Sequence, residues 1–212
     1  RTVSAALDVQ YALNPDSTLL PITRLGGVTR AIVVPDYDDR ATGRDLQFAG
    51  QAAMISLATS ADILVRPKIG MVLELGESGA QRVGGSRAAQ LVQLRELLDG
   101  VRFFNANRKA YDRGELRDLL FSRADLDALV PVIEGRMPLI VGVHRASDIR
   151  QALQLAREYK LRIILSGAAE GWRVAQEIAA AKVPVLLNPT FNLPSRYEAL
   201  GATLQNAALL DE

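Results

Sequence analysis

The stretch from residue 137 to 189 constrains the fold most. "MPLIVGVH", "LRIILSG" and "VPVLLNP" are three short apolar runs, each bounded by turn residues. Between them lie two segments with helical spacing. Ile149, Ala152, Leu153 and Ala156 share one face of the first, and Trp172, Ala175, Ile178 and Ala179 one face of the second. Continuous apolar runs read as strands buried on both faces, and short connections through helices require parallel pairing. The pattern is β-α-β-α-β. His144, Ser166 and Asn188 each end a run and stand 22 residues apart. A right-handed crossover path brings such positions to one edge of the sheet, and the carboxyl edge of a parallel sheet is where ligands bind.

Upstream, the first 27 residues read as helices: "VSAALDVQYALNP", then, after a turn at Pro15-Asp16-Ser17, "STLLPITRLGG". "TRAIVVP" reads as a buried strand stopped by Pro35, and the polar "DYDDRATGRD" after it as a plausible wall of a site. "FAGQAAMISL" and "DILVRPKIGMVLELG" read as strands with turns. Residues 86–136 carry apolar residues at three- and four-residue spacings among many paired charges. They predict a helical insertion of two or three helices, with solvated "NANRKAYDRGE" between them.

Composition narrows the classes. With 212 residues, 49% apolar, and a net charge of +1, the chain can bury a sizeable core and has no charge-based attraction to nucleic acid or a membrane surface. No apolar run reaches the roughly 18 residues of a membrane span. There is no cysteine, so disulfides, thiolate metal ligands and a cysteine nucleophile are excluded. The glycine-rich "GMVLELGESGAQRVGG" has neither a P-loop lysine nor GxGxxG spacing, and reads as loops. The chain opens on Arg1 and closes on the helix-like "NAALLDE", which suggests a piece of a longer protein. The compartment stays open between cytoplasm and periplasm.

His144 is the only histidine. A lone histidine is more often structural than a ligand, but a strand's carboxyl end favours a site, where a neutral imidazole suits zinc and similar ions. Arg145 can clamp a substrate carboxylate or form a surface ion pair. Ser147 is placed as an N-cap, with Asp148 in the first turn of its helix. Glu170 can serve as an acid or base at the mouth, with helix-start stabilisation the blander role. Trp172 reads as core.

These residues resemble a family. "GVHRASDIRQALQLAREYKLRIILSGAAEGWRVAQEIAAAKVPVLLNPTFNLP" is similar to the late barrel strands of amidohydrolases of the imidazolonepropionase and Xaa-Pro-dipeptidase-like type, and "GGVTRAIVVP" with "AGQAAMI" resembles the same family further upstream. The resemblance implies a distorted (β/α)8 barrel, with the small β-sandwich and outer strands beyond this chain. It implies hydrolysis of amide or other C–N bonds by a metal-activated water, with His144 as a ligand of a divalent metal, zinc foremost. Gln51, Arg145, Ser166, Glu170 and Asn188 would line the mouth for an amide-type small molecule. The family's next strand-end histidine would fall near Ser166 or Gly167, where none stands. That gap favours the rival reading, a binding or scaffold descendant without a metal centre. The expected fold is therefore α/β, one incomplete amidohydrolase-like TIM barrel over residues 1–212. A second copy or partner chain would cover its open sheet edges.

Overall fold

The computed structural model describes residues 4–37, 47–116, 119 and 121–211. Six strands form one curled, half-barrel sheet in chain order: β1 (Arg30–Val33), β2 (Phe48–Ser56), β3 (Leu64–Glu74), β4 (Leu139–Val143), β5 (Ile163–Gly167) and β6 (Val185–Leu186). From β3 to β6 the pairings are parallel, whereas β2 runs antiparallel to both β1 and β3. The strands form where expected, with β6 reduced to two residues, but β1 is not buried: as an edge strand its residues are exposed or half-buried. The antiparallel β2 is a departure from a purely parallel barrel, and the short β2–β3 connection makes a hairpin there.

The helices pack on one face. α2 (Glu77–Arg82), α3 (Arg87–Ala106), α4 (Arg108–Asp112) and α5 (Arg123–Ile133) connect β3 to β4. α6 (Ala146–Tyr159) connects β4 to β5, and α7 (Ala175–Ala181) connects β5 to β6. The 86–136 segment is thus the β3–β4 crossover. Its Leu94, Leu97, Leu98, Val101, Phe104, Leu126, Leu129 and Val132 join one core with Met71, Leu73, Leu139, Val141, Val143, Ile163 and Leu165 of the sheet. Those strand residues alternate, as the pleat demands, with Val72, Ile140 and Ile164, which lie on the opposite, concave face.

The first 27 residues depart from expectation. Only α1 (Leu19–Leu25) is an α-helix there, preceded by one 3-10 turn at Val9–Ala12. The backbone before it is captured by tertiary bonds. The Asp125 carboxylate accepts from the amides of Ser4 and Ala6, the Ser4 hydroxyl donates to the Phe48 carbonyl, and the Gln51 amide donates to the Leu7 carbonyl at 2.7 Å. Asp8 caps the 3-10 turn through the Gln10 amide. Among the described residues no helix is long and apolar enough to cross a membrane.

Candidate active site at the carboxyl mouth

The parallel strands align their carboxyl ends in one row: Glu74 opposite Gly142, Gly142 opposite Ser166, and Ser166 opposite Leu186. This corrects the equal 22-residue register. His144 and Asn188 each lie two residues further along their chains than the residue level with Ser166. Two residues keep the same side of a strand, so His144 leaves β4 on the concave side, beyond the row.

Glu74 is the residue the sequence reading missed. Its carboxylate lies against Gly142, where a Cβ would stand 2.1 Å from one carboxylate oxygen. Glycine at 142 is therefore what makes room for the side chain. Burial raises the Glu74 pKa to about 7, and the nearby Glu198 carboxylate adds to the rise, while Arg196 and Arg82 oppose it. Its backbone is held by Tyr37. The Glu74 amide donates to the Tyr37 hydroxyl (2.9 Å), which donates to the Gln47 carbonyl (3.0 Å), and the Arg82 guanidinium stacks 3.8 Å over the Tyr37 ring. Tyr37 is the second residue of the loop expected to wall the site, and residues 38–45 of that loop lie outside the described residues. The signal for Glu74 was present as one charged residue in the apolar run "MVLELG". It escaped the strand-end spacing because a four-helix crossover, not one helix, follows it.

His144 is partly buried, its ring packed over Gly167, where a Cβ would lie 2.5 Å from Cε1. Gly167 has φ +86°, so glycine serves there both for space and for backbone. Burial pushes the His144 pKa down, Arg196 pushes it further, and Glu198 acts against them. The imidazole is neutral at neutral pH, with a nitrogen lone pair to offer.

A third group comes from the segment after β6, where no local pattern marked it. Glu198, on the 3-10 turn Tyr197–Ala199, is 2% exposed. It accepts from the Glu77 amide at 2.7 Å and pairs with Arg196 (3.4 Å) and Arg87 (3.7 Å). Arg87 also binds Asp148 at 3.0 Å, so Asp148 in the first turn of α6 has an ionic partner as well as the helix dipole.

The other expected residues divide. Ser166 is partly buried in the central row. Arg145 is exposed beside His144, and Asn188 is exposed with its side chain accepting from the Thr190 hydroxyl. Glu170 is buried and is spent on structure. One oxygen accepts from the Ala146 amide (3.0 Å) at the start of α6, and the other from the Gly201 amide (3.1 Å). It therefore caps α6 in place of Ser147. The N-cap is Arg145, with no side-chain bond of its own. Gln51 is not brought to the mouth. It pairs with Met71, three residues before Glu74, and shares that residue's helix-facing side. Trp172 is half-buried, its indole N–H donating to the Gly201 carbonyl at 2.9 Å.

No protein-family model matches the chain, and no curated protein matches it. Among solved structures it is similar to the crystal structure of an amidohydrolase from Thermotoga maritima MSB8, with a TM-score of 0.81 and 20% identity over 99% of this chain. The chain spans 55% of the length of that structure. Such a barrel implies a metal, and the donors can be tested. Among the described residues no three His, Asp or Glu groups come together to hold an ion. Ser166 stands in the central row where the family resemblance implies a histidine, and Glu198 is taken up by an amide and two arginines. These residues do not by themselves fit a metal centre. At this identity the likeness is one of fold alone: the chain's curled α/β sheet and its helices follow those of part of that structure.

Proposed function

We propose that the mouth of this sheet belongs to a hydrolase of amide or other C–N bonds, with Glu74 as its proton-transfer group. The observation that carries the reading is a carboxyl of pKa about 7, set at the carboxyl edge of a barrel sheet within reach of the same arginine that acts on His144. A general base works best when its pKa lies near the working pH, and such perturbed groups concentrate at functional sites. In this reading ionised Glu74 takes a proton from water as the water oxygen bonds to the carbonyl carbon. The same proton then passes to the leaving nitrogen as the C–N bond breaks. Neutral His144 accepts a hydrogen bond or gives a nitrogen to a divalent ion such as zinc. A complete metal centre would need donors beyond those that the described residues bring together.

The test is hydrolysis of a panel of small amides by the full chain, with Glu74→Gln and His144→Ala alongside metal analysis. Glu74→Gln is expected to lower kcat by roughly 10²-fold or more. Full activity in Glu74→Gln would remove the reading. The second reading, a binding or scaffold descendant of the fold, is favoured by Ser166 standing in the ligand row. No hydrolysis and no bound metal in the full chain, with small-molecule binding retained, would select it.

A further inference from the structure

Arg196 is a mouth cation whose charge is only partly met. Its Nη1 reaches the Ser78 hydroxyl and one Glu198 oxygen, both at 3.4 Å, and its side chain is 52% exposed. Its Nε and Nη2 make no hydrogen bond among the described residues. Glu198 accepts from the Glu77 amide at 2.7 Å through the oxygen that also faces Arg87, and its other oxygen is met only at 3.4 Å by Arg196 and 3.5 Å by the Ser78 hydroxyl. Arg196 also projects its field to both Glu74 and His144, since it acts on each of them. A guanidinium held at one end, half exposed and with its Nε and Nη2 unbonded among the described residues, is suited to receive a planar anion by two parallel hydrogen bonds. Among the other mouth groups, His144 is neutral and Arg87 is occupied by Asp148 at 3.0 Å. Arg145 is exposed and has no ion pair among the described residues, but it is not among the charges that act on Glu74 or His144.

We propose that Arg196 is the anion-recognising residue of this mouth, and that the ligand bound there carries a carboxylate beside its amide-type group. This deepens the hydrolase reading and rests on it for calling that ligand a substrate. The test compares N-acetylglycine with N-acetylglycinamide, which differ in the carboxylate, as ligands of the full chain by calorimetry or NMR titration. N-acetylglycine is expected to bind at least 10-fold tighter. Arg196→Gln should abolish that preference, Arg196→Lys should keep part of it, and Arg145→Gln should leave it intact. Equal affinities, no binding of either compound, or a preference lost in Arg145→Gln but kept in Arg196→Gln would overturn the proposal. The wild-type preference stands as evidence even if Arg196→Gln fails to fold. A preference that follows Arg196 without hydrolysis of any amide supports the anion site and removes only the hydrolase reading.

Discussion

At the scale of single residues, Glu74 dominates the expected chemistry and leaves a signature in stability. Its carboxyl is held protonated by burial, with a folded pKa of about 7 against an ordinary 4.5. The fold therefore binds a proton that the unfolded chain has already released between those values. The stabilisation is fully present below about pH 4.5 and is lost as pH rises through 7. It amounts to roughly 3 kcal/mol at most. Wild-type Tm is expected to fall between pH 5 and 8, and Glu74→Gln to flatten that slope and melt higher than wild type at pH 8. A Tm profile in Glu74→Gln parallel to wild type would show that the proton sits elsewhere. Gly142→Ala probes the same pocket from below. The new Cβ meets only the far end of a flexible side chain, so Glu74 swings aside at a stability cost of about 1 kcal/mol or less. Carboxyl NMR should then find the Glu74 titration moved back towards 4.5, with the fold intact.

At the scale of elements, buried carboxylates act as fasteners between segments distant in sequence. Glu170 ties the start of α6 to the segment after β6, and Asp125 ties residues 4–6 to the start of α5. Glu170→Ala leaves two amides without their acceptor and is expected to cost about 1–3 kcal/mol. Denaturant melts check this, and a loss below 0.5 kcal/mol, roughly the surface-substitution range, would count against the fastening role. Asp125→Ala should expose residues 4–12 to limited proteolysis before the core unfolds. These fasteners also explain what could be read in advance. The strands β4 and β5 and helix α6 were legible because burial on both sheet faces and one helix face writes a local period. The hairpin direction of β2 was not, because a strand buried on both faces looks the same whichever way it runs. The helical reading of residues 3–15 failed for a related reason. Its apolar spacing suits a helix, yet Asp125 and Phe48 offer its backbone better partners than the helix would. Glu198 and Arg196 had no period to announce them, lying on irregular backbone placed only by tertiary bonds.

At the scale of the whole molecule, the sheet does not close among the described residues. There β1 pairs only with β2, and β6 only with β5, so each presents one unpaired edge. The β1 side is also apolar. Ile32 and Val34 are half exposed, and α1 buries none of its residues, with Leu19, Ile22 and Leu25 at 67%, 63% and 89% exposure. Solvent does not tolerate such a combination without consequence, since an open strand edge beside apolar side chains is a template for another strand. A protein of these 212 residues is therefore expected to self-associate through the β1 side at micromolar concentration. A lysine at Ile32 would put charge on that edge without touching the core. Sedimentation velocity should then show the wild-type chain as dimers or larger species, and Ile32→Lys combined with Leu25→Lys shifted towards monomer with an unchanged far-ultraviolet spectrum. A wild-type chain that stays monomeric over the same range would overturn the expectation that this edge is open to another chain.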